Sequence, residues 1–69
     1  MNLIGLREIR KKKEYSQVKV AMALNMCRET LSRYETGVRN PDIETLVKFS
    51  NYYNVSIDYL IRGEEFTKK

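Results

Sequence analysis

Apolar residues recur along nearly the whole chain at spacings of three and four, and no stretch alternates with a period of two. The pattern predicts helices and no strands. Leu3, Leu6 and Ile9, with Ile4 beside them, mark a first helix that runs out into the solvated run Lys11, Lys12, Lys13. Ser16 is a good N-cap for a second helix, because its hydroxyl can accept a free N–H of the first turn. Lys19 stands where Glu or Gln would complete a capping box. The second helix turns Val20, Ala21 and Leu24 inward. Asn25 then breaks the period, and Asn tolerates the left-handed backbone of a tight turn. Met26 continues the apolar side, and a third helix begins near Arg28.

Gly37, free to take positive φ, stops that helix after Glu35. Pro41 cannot lie inside a helix, and Asp42 is a good N-cap for the next one. The fourth helix has Ile43, Leu46, Val47, Phe49 and Ser50 on one side, closed by Tyr53. Asn54 repeats the device of Asn25. Ser56 caps a short fifth helix, "IDYLI", with Asp58 at its positive end and Gly63 as its stop. The expectation is an all-α domain of five short helices over residues 1–63. The remaining "EEFTKK", 64–69, is a polar tail expected to fray.

The third helix has two unlike sides. In "CRETLSRYE", Leu31 and Tyr34 fall inward, while Arg28, Glu29, Ser32 and Arg33 share the other face. Such a charged face is ordinarily a solvated surface. The charge balance of the chain gives it more weight. Residues 1–39 hold nine Lys/Arg against four Asp/Glu, and residues 40–69 hold four against five, so the net +4 is +5 in the first part and −1 in the second. That asymmetry points to a polyanionic partner, most often nucleic acid.

Composition removes other classes. With 69 residues, the chain is one small domain with little room for a core. A single cysteine, Cys27, forms no internal disulfide, which suits a reducing cytoplasm. With no His and one Cys, the usual zinc ligand sets are excluded. No apolar segment approaches the roughly 20 residues of a membrane span, and Arg7 onward interrupts any signal-peptide core. With no His, no Gly-rich phosphate loop and no clustered carboxylates, neither an enzyme nor a cofactor is expected.

Two helices separated by about three residues, with an αL-tolerant residue in the turn, have the spacing of a helix-turn-helix. Here "LREIR" in the first helix, "SQ" opening the second, "SRYETG" closing the third, "RNPDIETL" and "NVSIDYLIRG" resemble the Cro and lambda-repressor-like family. The resemblance covers residues 3–63. It implies a lambda-repressor-like DNA-binding domain whose third helix, about 28–35, reads the major groove. Matched position by position, Arg28, Glu29 and Arg33, with Ser32 beside them, fall at base-reading positions. Gln17 resembles a residue that contacts a phosphate, and Arg39 and Asn40 match a loop along the DNA backbone. Arg10 and Glu35 resemble a pair that ties the first helix to the end of the third. That pair is expected to hold the recognition helix and not to touch bases.

The chemistry agrees with these roles. An Arg fork matches guanine O6 and N7, and Glu accepts from cytosine N4. Phosphates take cations or helix-start N–H groups, which suits Gln17 and Arg39. The sequence departs from the family at Asn25 and Asn54, where Gly is usual, and at Cys27, where Ser or Thr usually caps the recognition helix. A thiol is a poor acceptor, so that cap is expected to be weak. Cys27 itself is expected to be a small buried residue. Glu29 repels phosphate, so it either reads cytosine, braces Arg28 or Arg33, or weakens binding. Tyr53 is expected in the core, while Tyr52, Tyr59 and Phe66 are candidates for a dimer surface.

The expected function is a sequence-specific transcriptional regulator of bacterial or phage type. It would act as a repressor, as a homodimer on a near-palindromic operator in double-stranded DNA. An antitoxin that autoregulates its operon, or an antirepressor that kept the fold without DNA binding, is the alternative. Because the chain ends soon after the fifth helix, no sizeable sensor or oligomerisation domain is expected. Control would then come from concentration, a partner protein or proteolysis.

Overall fold

The computed structural model describes residues 3–63. It contains five helices and, among the described residues, no strand: α1 (Ile4–Lys12), α2 (Gln17–Ala23), α3 (Arg28–Thr36), α4 (Ile43–Tyr53) and α5 (Ile57–Arg62). The caps form where the side-chain chemistry places them. Ser16 Oγ accepts from the Lys19 N–H at 3.0 Å, Asp42 Oδ1 from Thr45 at 2.9 Å, and Ser56 Oγ from Tyr59 at 3.0 Å. Left-handed residues close three of the helices or turns: Asn25 at φ 59°, Gly37 at 82° and Asn54 at 59°. α3 runs one residue past Glu35 before Gly37 ends it.

The core gathers the inward stripe of every helix. Leu3, Leu6, Ile9, Val20, Ala21, Leu31, Leu46, Phe49, Tyr53 and Leu60 are buried, and Leu24 and Met26 pack partly against them. α1 and α5 meet backbone to backbone at Gly5. A Cβ at that position would lie 1.8 Å from the Tyr59 carbonyl oxygen, so only glycine allows the approach.

Five residues lie where the sequence reading did not put them. Ile4, Ile43 and Val47 lie on the solvent side, at 53%, 73% and 40% exposure. Ile4 and Val47 each adjoin a residue of the true inward seam, Gly5 and Leu46, about 100° around the helix. Pro41 is buried at the entry to α4, while Ile43 stays in solvent. Tyr59 is buried against the core and offers no free surface. Cys27 is exposed, not buried: it ends the α2–α3 turn, where Asn25 before it and Arg28 after it are exposed as well. The expected polar tail, 64–69, and Phe66 lie outside the described residues.

Candidate nucleic-acid interface

α2 and α3 are joined by a short turn that Asn25 makes possible. Its N–H donates to the Met22 carbonyl, and the Met26 N–H reaches back to Ala21 at 2.9 Å. Val20, Ala21 and Leu31 anchor the two helices to the core. α3 is thereby held with Leu31, Tyr34 and Glu35 buried, and with Arg28, Glu29 and Arg33 exposed on its outer side and Ser32 half-buried between them. Nine residues make α3 about 13 Å long. An α-helix with its side chains is about 10–12 Å across, which a major groove about 12 Å wide admits.

Its N-terminal end has no side-chain cap. Cys27 has extended backbone at φ −77° but makes no capping hydrogen bond. At the other end, the Arg39 N–H bonds the Arg33 carbonyl at 3.2 Å, and the Arg39 guanidinium lies 5.8 Å over the Tyr34 ring. This carries Arg39 to the rim of the α3 face. Asn40 follows it, also exposed.

Arg10 and Glu35 meet. Arg10 Nε donates to Glu35 Oε2 at 2.7 Å, and Nη2 to Oε1 at 3.2 Å. The Glu35 side chain is 1% exposed and that of Arg10 is 11%. Removing either partner would strand a buried charge, at a cost of about 3–5 kcal/mol. Arg10 Nη1 also donates to the Tyr15 carbonyl at 2.9 Å, so the same guanidinium fastens the α1–α2 turn.

Two further contacts were not foreseen from sequence. Gln17 Nε2 donates to Glu35 Oε1 at 3.1 Å, and Arg28 Nη1 donates to Gln17 Oε1 at 3.2 Å. The buried pair is therefore continuous, through one glutamine, with the first residue of α3. The sequence signal was a glutamine at the start of α2 and an arginine at the start of α3, with the turn setting their separation. Bracing of Arg28 or Arg33 by Glu29 is not seen. Arg10 pairs with Glu35, and among the described residues no ion pair joins Glu29 to Arg28 or Arg33.

Two short helices joined by a tight turn, the second with a polar outer face, have the arrangement of a helix-turn-helix. The chain belongs to the Cro and lambda-repressor-like helix-turn-helix family: the family profile, described as helix-turn-helix, matches residues 6–60. It is 48% identical over 64 residues to the HTH-type transcriptional regulator ImmR of Bacillus subtilis, which covers 93% of this chain and 50% of ImmR. It is 41% identical to the uncharacterized HTH-type transcriptional regulator YqaE of the same organism, over 93% of this chain and 55% of YqaE. It is 30% identical to the cryptic phage CTXphi transcriptional repressor RstR of Vibrio cholerae, over 87% of this chain and 54% of RstR. The chain spans about half the length of the curated relatives it matches. No helix among the described residues is long and apolar enough to cross a membrane.

Proposed function

We propose that this chain is the DNA-binding part of a transcriptional regulator that acts in the cytoplasm as a repressor, by occupying its operator. The observation that carries the reading is the face of α3. Arg28, Glu29 and Arg33 stand exposed on a helix whose opposite side is locked by Leu31, Tyr34 and Glu35. A polar helix face held this rigidly presents its donors and acceptors to base edges at little ordering cost. In this reading α3 lies in the major groove and α2 crosses the backbone. Arg28 and Arg33 donate to guanine. Glu29, having no ion pair with either arginine, accepts from cytosine N4. Ser32 lies between them. Gln17, Arg39 and Asn40 follow the phosphates. Two copies bind a near-palindromic site.

The kinship with transcriptional regulators, one of them named a phage repressor, supports the class. Selection of bound duplexes from a random pool tests it. Guanine is expected at one or more positions of each half-site. Arg28→Ala or Arg33→Ala should cost about 1–3 kcal/mol and relax the preference at one such position. A pool that enriches nothing at low salt refutes the reading.

A further inference from the structure

The sequence holds three methionines and one cysteine, and three of these four residues line one pocket. Met22, Met26 and Cys27, with Asn25, surround an open depression at the α2–α3 turn. The turn brings them together. The Asn25 N–H donates to the Met22 carbonyl and the Met26 N–H to the Ala21 carbonyl, so residues 26 and 27 fold back beside the last turn of α2. Core packing does not account for the grouping. Met22 is 76% exposed, and only Met26 rests partly against the core. Cys27 is exposed too, and its thiol makes no capping hydrogen bond. A single exposed methionine is ordinary. Two thioethers and a thiol around one pocket are a set of sulfur donors.

The softness of the donors selects the ligand. Thiolate and thioether sulfur favour Cu(I), while magnesium, calcium and manganese take oxygen, and zinc takes sets of thiolate, imidazole and carboxylate. None of the lining residues is a carboxylate or an imidazole. Among the described residues, no three His, Cys, Asp or Glu side chains are grouped to hold a metal ion. We infer that Met22, Met26 and Cys27 form a three-sulfur site for a soft monovalent cation, Cu(I) or its analogue Ag(I). The pocket, about 450 Å³, is far larger than one ion, so the ligands have to close on it. Methionine suits that task, because it is unbranched and turns about three bonds. Met22 stands in solvent and moves without disturbing the core. Cys27 supplies the charge. Its thiol proton passes to solvent as the sulfur–metal bond forms, the bound unit is neutral, and no electron is transferred. The site adjoins Arg28, but the inference does not depend on what Arg28 contacts.

Titration of the purified chain with Cu(I), without oxygen and against a coloured Cu(I) chelator, tests it. One ion per chain is expected, bound more tightly as pH rises because the thiol proton has to leave. Met22→Leu and Met26→Leu remove a thioether while keeping an apolar side chain of similar size. Each should weaken binding by about tenfold or more, the least that loss of even an outer-shell partner costs. Met22→Leu is the decisive variant, since an exposed position tolerates it without loss of fold. Cys27→Ser should take binding out of the chelator's range. A second readout uses Ag(I), which is diamagnetic. One equivalent should shift the ε-methyl resonances of both Met22 and Met26. Affinity unchanged in either Leu variant overturns the three-sulfur site, because the thiolate then holds the ion without that thioether. Two chains sharing one ion in the mass of the complex overturn it as well, because paired Cys27 thiolates then form the site. Methionine resonances that do not move, or Zn(II) bound as tightly as Cu(I), also count against it.

Discussion

The Tyr53 hydroxyl lies in the core, and no hydrogen-bond partner reaches it among the described residues. Its ring stacks between Phe49 and Tyr15, with centroids 6.5 Å from each. Burial pushes the phenol well above its ordinary value of 10.0, and the nearby Glu35 charge pushes the same way. A raised acid of this kind contributes stability that is complete below about pH 10 and is lost as pH rises beyond it. Tyr53→Phe removes a buried polar atom with no partner while keeping the ring. We expect its melting temperature at pH 7 to be equal or higher and its alkaline unfolding to begin at higher pH. A fall of several degrees at pH 7 would mean that the hydroxyl is bonded through water. Tyr53 was legible as core because it continues the seam of Leu46 and Phe49 by steps of three and four. Tyr59 was not, because what covers it is α1, brought in by the close approach at Gly5.

Local chemistry fixed most of the helix ends. Ser16, Asp42 and Ser56 cap as their side chains allow, and Asn25 and Asn54 take the left-handed backbone they tolerate. The turn after α1 escaped notice because Glu14 takes φ 60°, and nothing about a glutamate announces that conformation. It is held by its surroundings. The Tyr15 N–H bonds the Arg10 carbonyl at 3.1 Å, while the Arg10 side chain grips the Tyr15 carbonyl. The weak cap at α3 was legible and carries its own test. Cys27 already has the extended backbone of an N-cap, so Cys27→Ser changes only the acceptor. A gain of about 0.5–1 kcal/mol in denaturant unfolding is expected, at the low end of measured caps because the site is exposed. No gain would show that the seryl oxygen does not reach the first turn. Ser50 shows a similar economy at the other end of α4, where its hydroxyl donates to the Val55 carbonyl beyond the αL turn.

For the molecule as a whole, the sequence disclosed the five helices and which face of α3 is exposed, since both follow from periodicity and charge. It did not disclose the chain of contacts from Arg10 through Glu35 and Gln17 to Arg28. Those residues are up to 25 positions apart, and only the tertiary fold aligns their atoms. The asymmetric charge also becomes a spatial statement. Lys19, Arg28, Arg33 and Arg39 are all exposed on α2, α3 and the loop that follows, with Glu29 as the acidic residue on the α3 face. Two copies on a near-palindromic site would bring eight such cations to the DNA, twice the four of one chain. If between four and eight phosphates are neutralised, log K should fall against log salt with a slope of about −4 to −7. Arg39→Ala should reduce that slope by about 2 for the pair of chains and weaken every sequence alike, because a phosphate contact carries no base identity. Arg28→Ala should do the opposite, with a larger change in preference than in slope. Titrations at several salt concentrations on selected and scrambled duplexes separate the two. Should Arg39→Ala alter preference and leave the slope unchanged, the loop reads bases and the face of α3 is not the whole reading surface.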